Sequence, residues 1–307
     1  MDVLSLDGVR LEALSACVPT RTVINDEKIA KATGIRGCRR ASPGTTVVDL
    51  CVRAAERAMA ETGTAPGDFG AVICVTFTQH DRMPCAAVQT QARLGLPRSV
   101  VAFDVALACS GWGYGLYLAG LLARQTGRKT LLLDGDVQSA FMDPGDVATG
   151  PLLSDGGTAA VVSPADAPAP WRFAFAADGA KGDALRLAHG GTIKMDGFGV
   201  FRFVATDVVG YLREFLSATA SGFTAFVPHQ PNVYMVRQLA KSIGVTEELT
   251  AVSCDELGNL SSASVPATIA WRGVRGRLLV AGFGGGLSVS MGLIDVAPDC
   301  KLSAQEI

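Results

Sequence analysis

Val100-Val101-Ala102-Phe103-Asp104-Val105-Ala106-Leu107-Ala108-Cys109-Ser110-Gly111-Trp112-Gly113-Tyr114-Gly115 decides how the chain is read. A short apolar strand runs into a glycine-spaced helix, and a cysteine stands at the junction. A thiol there meets unpaired backbone N–H groups and the positive end of the helix dipole. That setting predicts a thiolate, the form of cysteine that attacks carbon. The small residues Ala106, Ala108, Ser110 and Gly111 leave room for a substrate at the sulfur. A buried cysteine taken alone is more often packing than a nucleophile, and it is the junction that changes the balance. Trp112, Tyr114 and Tyr117 read as helix packing.

Strand-like and helix-like runs alternate on both sides. Residues 45–62 carry a helical apolar stripe, 71–77 read as a buried strand, and 86–94 as a second helix. The helix after Cys109 runs to about residue 125 and is closed by Gly127. Strands over 129–134 and 158–163 follow. Pro164-Ala165-Asp166-Ala167-Pro168-Ala169-Pro170 reads as a connection, which predicts an N-terminal half over 1–165 and a C-terminal half over 166–307. The second half has strands at 171–176, 225–227 and 278–282, with helices at 208–217 and 233–243. Ser154-Asp155-Gly156-Gly157 and Phe283-Gly284-Gly285-Gly286 close the two halves alike, a hint of internal duplication. Continuous apolar strands alternating with helices predict an α/β layered fold with covered, largely parallel sheets.

The 307 residues are 49% hydrophobic and 18% charged, enough for a large core. A net charge of −2 provides no basic field for nucleic acid. Apolar runs are short, well below the roughly 20 residues of a membrane span. Met1 to Asp7 lacks the pattern of a signal peptide. Eight cysteines without CxxC spacing predict neither a zinc site nor a disulfide framework, and a reducing cytoplasm suits them.

Two further segments offer partners for Cys109. His229, in Val227-Pro228-His229-Gln230-Pro231-Asn232, stands between an apolar run and a helix start. A neutral imidazole there can donate an Nε2 proton to a thioester oxygen or take the thiol proton; a hydrogen-bonded histidine in a turn is the plainer alternative. Asn259, in Gly258-Asn259-Leu260-Ser261-Ser262-Ala263-Ser264, is either a turn residue or an uncharged donor for an enolate oxygen. The Gly284-Gly285-Gly286 run is a tight turn or part of an oxyanion hole with the N–H of Cys109. It lacks the frame of a phosphate loop. His80 reads as surface, and His189 has no assigned role.

These segments, together with Asp143-Pro144-Gly145-Asp146, occur in the order found in the β-ketoacyl-acyl-carrier-protein synthase III branch of the thiolase superfamily, which the chain resembles over nearly its whole length. The resemblance implies a five-layered αβαβα fold with internal duplication, usually a homodimer, and no cofactor beyond thioester substrates. Cys109 would accept an acyl group from acyl carrier protein or coenzyme A. His229 and Asn259 would hold a malonyl thioester while it loses carbon dioxide, and the carbanion would attack the acyl-cysteine. The N–H groups of Cys109 and Gly285 would form the oxyanion hole beside Phe283. Met83, Gly197, Phe201 and Asn232 would complete the substrate-binding wall. Thiolases proper fit less well, because their second active-site cysteine near the C-terminal glycines has no counterpart here.

Departures from the family narrow the donor. The segment with a Trp and an Arg that clamp adenine before Thr33-Gly34-Ile35-Arg36 is missing. Val147 and Tyr234 stand where basic residues are usual. This favours an acyl group borne by a carrier protein, which Arg202, Arg237 and Lys241 would meet by charge, unless these are ordinary solvated surface. Met83 replaces an aromatic residue that usually crosses the dimer, which predicts tolerance for acyl groups other than acetyl. Alternative readings are acyl transfer to a hydroxyl or amine without chain extension, a non-catalytic partner subunit, and a cysteine hydrolase.

Overall fold

Ten residues, Val9–Val18, form a strand buried at eight positions, and the first sheet grows around it. The computed structural model describes residues 1–307 except 144, 148, 166–169 and 221. Its strands in chain order are β1 (Leu4–Leu6), β2 (Val9–Val18), β3 (Thr22–Ile24), β4 (Gly37–Arg39), β5 (Phe69–Val75), β6 (Val101–Val105), β7 (Lys129–Asp136) and β8 (Gly156–Pro164). There follow β9 (Trp171–Ala177), β10 (Leu185–Leu187), β11 (Ile193–Met195), β12 (Ala225–Pro228), β13 (Gly276–Gly284), β14 (Ser288–Val296) and β15 (Lys301–Glu306). One main sheet has the order β15-β2-β8-β7-β5-β6, the other β1-β9-β14-β13-β12.

The duplication is written in this topology. Within the first sheet, β2 and β8 run antiparallel, β8 and β7 antiparallel, and β7 and β5 parallel. In the second, β9, β14, β13 and β12 repeat the same three senses in the same order. The sheets are therefore mixed, not largely parallel: unbroken apolar runs report burial on both faces, which an antiparallel pair can share. The expected boundary at 165/166 falls at the edge of 166–169, the part of the Pro-rich connection that lies outside the described residues, while Pro164 closes β8. Each sheet takes an edge strand from the far end of the chain, β15 on β2 and β1 on β9.

Helices Gly111–Thr126 and Ser264–Arg272 lie between the sheets, burying Trp112, Leu116, Val265 and Ile269 with Val227 and Leu132. Glycine lets the first of these sit close: a Cβ on Gly115 would fall 2.6 Å from Val75 and 2.9 Å from Leu132. Helices Val47–Thr62 and Ala86–Arg93 cover the outer face of the first sheet. Helices Val209–Thr219 and Val233–Ser242 cover that of the second. Together these are five layers, with Thr46 and Asn232 as N-caps for two of the outer helices.

Candidate active site

Cys109 lies between the end of β6 and helix Gly111–Thr126, and its turn is pinned from the opposite sheet. Ser290 Oγ donates to Ser110 O at 2.7 Å, and the Ser110 and Ser288 hydroxyls are 2.7 Å apart. A Cβ on Gly284, at the end of β13, would stand 2.9 Å from Cys109 Sγ, so only glycine admits the nucleophile there. One cavity of about 310 Å³ receives Cys109, His229, Asn259, Phe283 and Gly285, with Leu107, Val200 and Met235 among its apolar walls.

Asn259 is clamped by its backbone. Its N–H donates to Leu152 O at 2.9 Å, and its carbonyl accepts from Ser154 N–H and Gln138 Nε2, both at 2.8 Å. Its Oδ1 accepts the Ser261 N–H at 2.9 Å. That use of the carbonyl end leaves Nδ2 as the end available to a ligand.

His229 sits at the end of β12 and packs edge-on against Phe283, with ring centroids 5.3 Å apart. Its Nδ1 is 3.0 Å from Ser261 O and 2.8 Å from Ser264 Oγ. The Ser264 hydroxyl also accepts from Gln230 N–H and donates to Ser261 O at 2.6 Å. A carbonyl can only accept, so the arrangement that satisfies all three groups keeps the ring proton on Nδ1 and presents Nε2 as a lone pair. Turning the Ser264 hydroxyl onto Nδ1 would select the opposite tautomer, with Nε2–H toward the cavity. Burial pushes the His229 pKa down to about 3, so the ring is neutral at physiological pH.

The sulfur corrects the sequence reading. Burial outweighs the helix end and pushes the Cys109 thiol up to about 11. The Ser261 hydroxyl and the N–H groups of Cys109 and Gly285 lower it, while Asp136 raises it. Ser110, not Cys109, is the N-cap, and Gly111 N–H is already bound to Ala108 O at 2.7 Å, so less of the helix end faces the sulfur than its place in the sequence implies. The resting form is the thiol.

Other expected residues divide. Gly285 and Phe283 line the cavity. Met83 is 85% exposed and lies off the cavity of its own chain. Gly197 and Phe201 are also outside the lining: their helix, Gly197–Phe203, presents Val200 to the cavity instead. Asn232 is occupied as a helix cap, accepting Met235 N–H at 2.8 Å. Arg237 and Lys241 share a surface hollow with Lys31 and Tyr234, and Arg237 pairs with Glu247 at 3.6 Å. Arg202 is exposed on a different helix and does not line that hollow. His80 and His189 are both exposed.

Sequence reasoning missed Ser261, Ser264 and Asp136. The two serines lay inside a quoted motif but were given no role. Asp136 was cut off by ending its strand at residue 134, although Asp134 and Asp136, two apart after the apolar run Leu131-Leu132-Leu133, would share one face of a strand carried to 136.

Two family models match the chain: 3-oxoacyl-[acyl-carrier-protein] synthase III over residues 103–179, and the C-terminal region of the same family over 216–296. The β-ketoacyl-[acyl-carrier-protein] synthase III of Salmonella typhimurium is 33% identical over 288 residues, 88% of this chain and 90% of that protein. A 3-oxoacyl-(acyl-carrier protein) synthase from Burkholderia xenovorans superposes with a TM-score of 0.94 at 29% identity, covering 100% of this chain and 99% of that one. The priming β-ketosynthase of the R1128 polyketide pathway has a TM-score of 0.87 at 29% identity, covering 95% of this chain and 98% of that one. Among the described residues no helix is long and apolar enough to cross a membrane. With a thiolase-type duplicated fold and relatives of this identity along most of its length, the chain belongs to the β-ketoacyl-[acyl-carrier-protein] synthase III family of acyl-transferring condensing enzymes.

Proposed function

We propose that Cys109 takes an acyl group from a thioester and that Asn259 and His229 hold the carbonyl of a malonyl thioester during decarboxylation. The observation that carries this reading is the convergence of the three side chains on one cavity, with Asn259 Oδ1 occupied and its Nδ2 making no hydrogen bond among the described residues. Asn259 Nδ2 donates to the enolate oxygen that forms as carbon dioxide leaves. A carbonyl bound at His229 Nε2 favours the Ser264 hydroxyl turning onto Nδ1, so that the ring carries its proton at Nε2 and adds a second donor. The carbanion then attacks the acyl-cysteine, whose oxyanion meets the N–H groups of Cys109 and Gly285. Donors fixed before reaction are the largest source of rate enhancement in such chemistry.

The route needs thioester substrates and no resident metal or cofactor. The donor is an acyl group on a carrier protein: the adenine clamp is missing from the sequence, and Val147 and Tyr234 are exposed where a nucleotide would want cations. Arg237, Lys241 and Lys31 form the basic face for an acidic carrier. The working unit is a homodimer joined along β6, which pairs with β5 on one side only and leaves Val101 42% exposed. In that dimer Met83 would serve the partner's acyl pocket. Eight free cysteines suit a cytoplasmic setting.

Intact-protein mass spectrometry after incubation with acyl carrier and acyl-CoA donors tests the loading step. The expected result is one acyl adduct, formed faster from the carrier and missing from Cys109→Ala. An adduct that survives in that variant would overturn the assignment. Acyl transfer to oxygen or nitrogen has less need of the Asn259 donor, which is why condensation is preferred.

A further inference from the structure

Asp136 ends β7 with no exposed surface, and the chemistry above makes no use of it. Its Oδ1 accepts from Thr76 Oγ1 at 2.9 Å, Thr78 Oγ1 at 3.0 Å and Phe77 N–H at 3.0 Å. Its Oδ2 has no hydrogen-bond partner among the described residues. A buried oxygen left bare is costly, which asks for a reason. The nearby hydroxyl is that of Ser261, close enough to lower the Asp136 pKa without closing a hydrogen bond to Oδ2. The same Oγ lies 3.9 Å from Cys109 Sγ, the one side-chain polar atom within hydrogen-bonding range of the sulfur among the described residues. Ser261 is held there in a left-handed conformation, φ +56°, that side chains rarely adopt. Such strain is typical of functional positions.

We propose that Ser261 and Asp136 form a proton store for Cys109, taking the thiol proton when the cysteine is acylated and returning it when the cysteine is freed. In the first half-reaction the Sγ–H proton moves to Ser261 Oγ as the Ser261 proton moves to Asp136. The Sγ–C bond forms and the donor's C–S bond breaks. The donor thiolate leaves with the electron pair and takes a proton from solvent. In the second, the carbanion forms its C–C bond to the acyl carbon and expels the Cys109 thiolate, which recovers the stored proton through Ser261. One solvent proton is consumed per cycle, as condensation with loss of carbon dioxide requires.

The charges around Asp136 suit this role. Asp134, on the same strand, is buried and accepts from Ser262 Oγ at 2.6 Å, and burial pushes its pKa well above the usual carboxylate range. Thr76, Thr78 and Ser261 are neutral, and the Cys109 thiol is a titratable neighbour that feels the Asp136 charge. Burial, opposed by its donors, places Asp136 at about 7, so it can exchange a proton near neutrality. His229 makes no hydrogen bond to Sγ and titrates far lower.

The proposal rests on Cys109 as the acylated residue and is tested by single-turnover acylation against pH, read by intact mass, in the parent, Asp136→Asn and Ser261→Gly. Glycine suits the positive φ and removes the whole hydroxymethyl side chain without straining the backbone. The parent rate should fall below about pH 7 as Asp136 protonates, and both variants should be roughly 100-fold slower at pH 8 and lack that limb. A carboxylate acting only by its charge predicts the opposite sign, because removing it eases ionisation of the thiol. Acylation of Asp136→Asn as fast as the parent, or faster, would therefore overturn the store. If Asp136→Asn does not melt cooperatively, Ser261→Gly decides on the same reading. Acyl label away from Cys109 in the parent would instead fail the nucleophile assignment.

Discussion

The resting protein should hold Cys109 as a thiol across the physiological range, which can be measured without substrate. Burial moves its pKa from an ordinary 9.0 to about 11. Those two units correspond to about 3 kcal/mol against ionisation. At pH 7 the thiolate fraction is then about 1 in 10,000, compared with about 1 in 100 for a thiol at 9.0. Alkylation by iodoacetamide follows the thiolate, so its rate at Cys109 should climb about tenfold per pH unit from 7 to 10 with no plateau. Peptide mapping separates Cys109 from the other thiols; Cys17, Cys254 and Cys300 are held by burial at about 12. A plateau at or below pH 8 would refute the reasoning, because the helix end and the nearby N–H groups would then outweigh desolvation. The consequence for mechanism is direct: acylation must move a proton, not merely use a thiolate already present.

Asn259→Ala removes one donor to the enolate, and about 3 kcal/mol of lost stabilisation should slow carbon dioxide release roughly 100-fold or more while acyl loading is nearly unchanged. Ser264→Ala leaves His229 Nδ1–H on Ser261 O alone and removes the means of turning the tautomer, so decarboxylation should slow by about 1 kcal/mol, roughly fivefold, with loading again spared. Gly115→Ala places a methyl 2.6 Å from Val75, and an overpacking cost of about 1–3 kcal/mol against a helix-propensity gain of about 1 should lower the urea midpoint. Asp136 binds its proton more tightly folded than unfolded, at about 7 against 3.8, so its contribution to stability is lost as pH rises between those values. Asp136→Asn has no such loss, and its urea-measured stability relative to the parent should rise from pH 4 to pH 7 and level off above.

Much of this was legible in the sequence because periodicity and turn residues report local geometry. The helix read as 111–125 is Gly111–Thr126, stopped by Gly127 at φ +64°, and the strand read as 158–163 lies within β8. Cys109, His229 and Asn259 stood out in the sequence because each sits at an apparent element end, with Pro228 beside His229 and Gly258 beside Asn259, and the fold brings all three to one cavity. What was missed depends on contacts between distant residues. No strand was predicted over β2, β14 or β15, whose pairing is set by the fold as a whole. The sense of the sheets follows from pairing β8 against both β2 and β7, which no apolar run encodes. The helix end was weighted without the desolvation that opposes it, since burial of one sulfur depends on β13 crossing it from the other half. Asn232 was read as a ligand contact, but its offset of three from Met235 is that of an N-cap.

The most direct test of the condensing reaction is to load the protein with an acyl thioester, add malonyl thioester labelled in its free carboxyl, and measure released carbon dioxide together with the product. The account predicts labelled carbon dioxide and a β-ketoacyl thioester two carbons longer in equal amounts, both lost in Cys109→Ala. An ester, an amide or the free acid as product, with the label still on malonate, would contradict it.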